Sequence, residues 1–174
     1  MDDDAKKTAL RMIPYGIYVM TAENDGEVAA ATVNWVTQTS FAPPLVVVGV
    51  KSDSGAYGIA KGAGNFALNM LGKGQQGLAF GFFKPATRDG NTVSGEPFHS
   101  GSTGAPILDN AVASVECKIV EIVEQGDHHI MVGEVVDANV ATQPEGRADE
   151  AILEMKELGD NDFYGSTYFV DPRG

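Results

Sequence analysis

The sequence predicts a mainly β domain with peripheral helices, most simply a Greek-key barrel, and three observations lead there. At least six stretches show strand-like alternation or apolar runs of strand length. Helical periodicity is confined to two or three short pieces. Near the C-terminus, "VASVECKIVEIVE" and "HIMVGEVVDANVA" are joined only by "QGDH", the simplest reading of which is a long antiparallel hairpin.

In chain order, "DAKKTALRMIP" reads as a short first helix, with Asp4 as its N-cap and Pro14 ending it. "GIYVMTA" reads as a strand that turns at Asp25 and Gly26 and returns as "EVAAATV". "NWVTQTSFAPPL" resembles neither strand nor tight turn: it is long and polar, and ends in Pro43 and Pro44, which lack amide donors. "LVVVGV" is apolar throughout, as in a strand buried on both faces. "SGAYGIAKGAG" predicts a weak helix from Ser54 to Lys61. "NFALNML" alternates, with Phe66, Leu68 and Met70 opposite Asn65, Ala67 and Asn69. "QQGLAFGFF" predicts a helix. The Gly-, Ser- and Thr-rich stretch from Lys84 to Ala105 reads as one long surface loop. "ADEAILEMKEL" is amphipathic, and "FYGSTYFV" is an aromatic tail.

A chain of 174 residues, 43% apolar and 21% charged, is sized for one domain over residues 1–174. A net charge of −12 argues against nucleic acid as partner, because phosphate neutralisation requires clustered Lys and Arg. Cys117 is the single cysteine, so neither an internal disulfide nor a cysteine-based metal site is available. The acidic start "MDDDAKK" lacks a secretory layout, and no run reaches the roughly 20 apolar residues of a membrane helix. The expected location is cytoplasmic, away from membranes.

Three motifs carry possible chemistry. The "NWVTQTSFAPPL" segment offers amides and hydroxyls either to a flat heteroaromatic ligand or simply to solvent at a barrel rim. "VKSDS" places Lys51, Ser52 and Ser54 at a helix start, which suits a phosphate or an ordinary serine cap beside a solvated lysine. In "GDHH", His128 and His129 should point to opposite sides of a strand. With His99 the only other histidine, no metal site is expected.

The set "YGIYVMTA", "ATVNWVTQTSFAPPLVVVGVK", "FALNMLGKGQ", "FFKP", "TGAPILDNA", "VECKIVEIVEQGDHHIMVGEVVDA" and "FYGSTYF" resembles the flavin reductase family. That family has the FMN-binding split-barrel fold and includes flavoredoxin-like proteins. The resemblance implies a flavoprotein oxidoreductase, an NAD(P)H-dependent flavin reductase that binds FMN, with FAD the lesser candidate. Hydride passes from NAD(P)H to flavin, and electrons go on to free flavin, an iron chelate or a partner protein. It implies that Thr32, Val33, Asn34, Trp35, Thr37, Gln38 and Thr39 line the isoalloxazine ring. Lys51, Ser52 and Ser54 fall at its phosphate site, with Lys84 as a further cation, and His128 on the nicotinamide side, orienting nicotinamide or reduced flavin. It also implies a homodimer with FMN at the subunit interface, which the aromatic tail can help to form. An electron carrier reduced by a protein partner is the alternative, and a haem- or flavin-binding barrel without activity is a third reading. The chain departs from the family pattern at His129, where a threonine is frequent, at Thr92, where a Lys or Arg is frequent, and in a longer, acidic segment 142–161.

Overall fold

A computed structural model describes residues 1–159. Helix α1 spans Asp3–Arg11. Its cap is Asp2 and not Asp4: the Asp2 carboxylate accepts the Ala5 amide at 2.7 Å, because the first helical turn begins two residues earlier than the pattern suggested. Strands β1 (Tyr18–Asn24) and β2 (Glu27–Val33) form the expected hairpin. Asp25 and Gly26 both have positive φ, the geometry of a two-residue turn that matches strand twist.

The polar segment departs from expectation. Val36–Phe41 is a strand, β3, and Ala42–Pro43 is a two-residue turn into β4, Pro44–Lys51. Its polarity follows from an edge position where most of its side chains are exposed. In β4 only Val48 and Val50 are fully buried, while Leu45, Val47 and Gly49 on the opposite face are half-buried, Gly49 beneath Trp35. Then come α2 (Gly55–Ala63), β5 (Asn65–Met70) and α3 (Gln76–Gly81).

Lys84–Ala105 is not one loop. It holds the short strands β6 (Arg88–Asp89), β7 (Thr92–Val93) and β8 (Glu96–Ser100), which pair with β9 (Pro106–Leu108) in a small sheet. Its glycines serve the turns, and Val93, Phe98 and Ala105 are buried. β10 (Ala113–Val123) and β11 (His128–Val140) make the predicted hairpin. Two 3-10 turns, Ala148–Glu150 and Met155–Leu158, occupy the amphipathic segment, burying Leu153, Met155 and Leu158. The "FYGSTYFV" tail lies outside the described residues.

The main sheet has the order β2-β1-β5-β10-β11-β4-β3. Its two edges, β2 and β3, are joined by Asn34 and Trp35 alone. Laid flat, six strand spacings would separate those edges by about 29 Å. Three Cα steps reach at most about 11 Å. The sheet therefore curls until its edges approach, but no ladder joins them: the barrel is split along that seam.

Alternation sends Met20, Ala29, Val48, Phe66, Cys117 and Met131 into the barrel, where Ala56, Tyr57 and Ala60 of α2 close the packing. On the outside of β1 and β2, Val19, Val28 and Ala30 pack under α3, the small sheet and the second 3-10 turn. Among the described residues the outer face of β11 and of the C-terminal half of β10 has no such layer, and Val120, Ile130, Val136 and Val140 are exposed there. Among the described residues no helix is long and apolar enough to cross a membrane.

Burial, reinforced by the Glu116 charge, pushes the Cys117 thiol up to about 12. In the unfolded chain such a thiol ionises near pH ~8.5. Between those values the unfolded chain loses its proton first, so stability falls with rising pH, by at most ~1.4 kcal/mol per pH unit. Cys117→Ala is expected to flatten this alkaline slope in urea titrations. Identical slopes in the two proteins would show that the thiol ionises freely.

Candidate flavin site at the barrel seam

A cavity of about 370 Å³ opens where the barrel is split, within the range of small-molecule sites. Its first wall is β2. The Thr32 amide donates to the Phe82 carbonyl at 3.2 Å, on the side away from β1. Strand geometry turns the Ala30 and Val28 amides, two and four residues back, to the same side. Among the described residues they have no acceptor. The Thr32 hydroxyl is already committed, donating to the Ala79 carbonyl at 2.6 Å and tying α3 to the strand.

The link between the edges closes one end. Asn34 is almost wholly buried, and its amide nitrogen donates to the Met155 sulfur at 3.2 Å. Trp35 lies over Gly49, where a Cβ would stand 3.3 Å from the Trp35 Cβ, and its carbonyl accepts the Gly49 amide at 2.9 Å. The indole meets the His128 ring edge-on, 4.6 Å between centroids. Val33 points into the barrel core beside it.

The opposite wall is the end of β4 and the start of α2. Ser54 is the N-cap: its hydroxyl donates to the Lys51 carbonyl at 2.7 Å and accepts the Tyr57 amide at 3.2 Å. The Gly55 and Ala56 amides, which also border the cavity, have no acceptor among the described residues. Lys51 lies 3.4 Å from the Asp53 carboxylate. Lys84, on the third wall formed by Phe82–Ala86, has no carboxylate partner among the described residues.

Thr32, Val33, Asn34, Trp35, Lys51, Ser54, Lys84 and His128 thus come together. Thr37, Gln38 and Thr39 do not: they are exposed on β3, where the Gln38 side chain donates to the Ser40 carbonyl. Ser52 is also outside the cavity. Its amide and hydroxyl both donate to the Asp127 carbonyl at 3.0 Å, clasping the β4 end to the β10–β11 turn. His128 and His129 face opposite sides as expected, His129 meeting the Tyr57 hydroxyl at 2.8 Å. The imidazole of His128 beside Asp127 holds that carboxyl below the usual range.

Of the Phe82–Ala86 wall the sequence singled out only Lys84, and it did not single out Val28–Ala31, Gly49, Gly55 or Ala56. The one legible signal was "AAA" in β2, three small side chains that leave a strand edge accessible. Unpaired amides along a strand, helix-start amides and two lysines around apolar walls fit a planar heteroaromatic ring carrying an anionic tail.

The flavin reductase like domain family matches residues 10–155. A flavin reductase of Pseudomonas putida is 30% identical over 148 residues, 84% of this chain and 82% of the relative. The diflavin flavoprotein A 1 of Synechocystis is 32% identical over 142 residues, but this chain spans only 25% of its length and 81% of its own. Among solved structures, the NADH:FAD oxidoreductase SgcE6 of Streptomyces globisporus C-1027 superposes with a TM-score of 0.68 at 29% identity, covering 80% of this chain and 86% of that one. The chain belongs to the flavin reductase-like family, and its split barrel is that family's fold.

Proposed function

We propose that residues 1–174 form one domain that binds FMN in the seam cavity and reduces flavin with NAD(P)H. The observation that carries this reading is the pairing of free β2 amides with a helix N-terminus and two lysines around a single cavity. The family supports it, as do the flavin- and NADH-naming descriptions of its relatives. FAD is the lesser candidate. Flavin held by these residues would supply the redox chemistry, as acceptor of hydride from reduced nicotinamide and donor of electrons to free flavin, an iron chelate or a partner protein.

The chain's own groups bind and orient. Val28 and Ala30 would donate their amides to the oxygens and nitrogens of the ring edge, where donors favour the charge that reduction brings. Thr32, Val33, Asn34 and Trp35 shape that edge, and Thr32 acts by holding the Phe82–Ala86 wall in place. Gly55 and Ala56 would donate amides to the phosphate, with Lys51 and Lys84 adding charge and Ser54 shaping the helix start. His128 orients the nicotinamide side. The setting is cytoplasmic, where NAD(P)H is available.

Anaerobic mixing with FMN and NADH or NADPH tests the activity: bleaching of the flavin is expected. A protein that takes up FMN but bleaches with neither nucleotide would be an electron carrier. Lys51→Ala and Lys84→Ala are each expected to weaken FMN about tenfold, the low end for charge-assisted hydrogen bonds at a part-exposed site. Riboflavin, which has no phosphate, should bind both variants as it binds the parent. Equal losses for the two ligands would remove the lysines from the phosphate site.

We also read the protein as a homodimer, with the outer face of β11 and of the C-terminal half of β10, where Val120, Ile130, Val136 and Val140 are exposed, as the surface a second copy covers. Sedimentation should give a dimer of the 18.3 kDa chain. A monomer that retains FMN would overturn this.

A further inference from the structure

We infer that Asp127 is a positioning residue for His128, fixing the imidazole as its Nδ1–H tautomer so that Nε2 faces the cavity as a hydrogen-bond acceptor. The consequence for turnover rests on the flavin reductase reading; the tautomer itself does not. His128 is the first residue of β11, paired across the ladder with Lys51. Its side chain is only 19% exposed, although it stands at a hairpin end. Two contacts hold the ring: the Trp35 indole at 4.6 Å, and the Asp127 carboxylate, whose Oδ1 is 2.9 Å from Nδ1.

An ionised carboxylate can only accept a hydrogen bond, so Nδ1 carries the proton. His128 holds the Asp127 carboxyl below its usual range, in keeping with that assignment. Nε2 has no partner among the described residues, and the residue borders the cavity. In the neutral ring it is therefore a bare acceptor, matched to an N–H donor such as a carboxamide group and mismatched to an anion.

Asp127 is itself held. Its carbonyl accepts both the amide and the hydroxyl of Ser52, each at 3.0 Å, and the preceding Gly126 takes a positive φ of 77° to make the turn. The carboxylate stands 72% exposed, so the pair contributes little to folding. Its value lies in direction. Of the charged groups that border the same cavity, Lys51 is the ladder partner of His128 and stands 3.4 Å from the Asp53 carboxylate, and Lys84 lies on the Phe82–Ala86 wall.

Two measurements test this. Nitrogen-15 chemical shifts of the His128 ring, read in the ligand-free protein near neutral pH, should show protonated Nδ1 and bare Nε2. In D127N, whose amide can turn to donate or accept, they should show a mixture of tautomers. A bare Nδ1 in the parent, or unchanged shifts in D127N, would overturn the proposal. In steady-state kinetics D127N should raise KM for the nicotinamide nucleotide several-fold with kcat nearly unchanged, and D127E should restore it. A fall in kcat at constant KM would also overturn it. A parent protein inactive with both nucleotides, but carrying the expected tautomer, would sink the reductase reading and leave the positioning role standing.

Discussion

Asn69→Leu is expected to lower the unfolding free energy by about 3 kcal/mol or more. Asn69 is fully buried on β5 and serves three groups at once. Its amide nitrogen donates to the Val19 carbonyl and the Thr21 hydroxyl, both at 3.0 Å, and its Oδ1 accepts the Leu108 amide at 2.9 Å. The Thr21 hydroxyl in turn donates to the Pro106 carbonyl. This network fastens β9, and with it the small sheet, to the barrel wall. Leucine nearly keeps the volume but leaves the Leu108 amide buried without an acceptor. That orphan costs about 1–3 kcal/mol, and the two lost donor bonds about 1 kcal/mol each. Urea denaturation should register a midpoint lower by about 1 M or more. A loss below about 1 kcal/mol would mean that water or local movement replaces the side chain.

Gly133→Ala is expected to cost about 2 kcal/mol or more, through crowding and not through backbone strain. A Cβ at this β11 position would stand 2.7 Å from the Cys117 Cβ and 2.8 Å from the Phe66 ring, both inside the barrel. The strand pairs Ile119 with Gly133 beside the bulge in β10, so neither neighbour can retreat freely. Phe66→Leu removes the ring that the new methyl strikes. The double variant should therefore be more stable than the sum of the two single losses predicts. Simple additivity would show that the Cys117 Cβ, not the ring, is the obstacle.

Much of the barrel was legible because its signals are local. The Asp25–Gly26 turn, the alternation of Phe66 and Leu68 against Ala67 and Asn69, and the length of β10 and β11 are all written within a few residues. Edge position is not local. Thr37, Gln38 and Thr39 form a strand whose polarity reflects exposure, and nothing nearby announces that β3 lies six places from β2 in the sheet. The same holds for the cavity. Lys51, Ser54, Lys84 and His128 could be named from their types and from a family resemblance. The Val28 and Ala30 amides have no side-chain signature, because their availability follows from the lack of a neighbour strand on that side among the described residues. Ser52 carries the hydroxyl expected at a phosphate site, yet spends it on the Asp127 carbonyl, a partner 75 residues away.

The two-residue bridge across the seam also bears on how the molecule comes into being. The cavity draws on chain positions from Val28 to His128, so it is absent while the ribosome has exposed only the first half of the polypeptide. Recognition must wait until the last long hairpin has docked, a late event in a topology governed by distant pairings. A cofactor supplied in the cell can then trap the finished protein by mass action, but it cannot act as a template for the early steps.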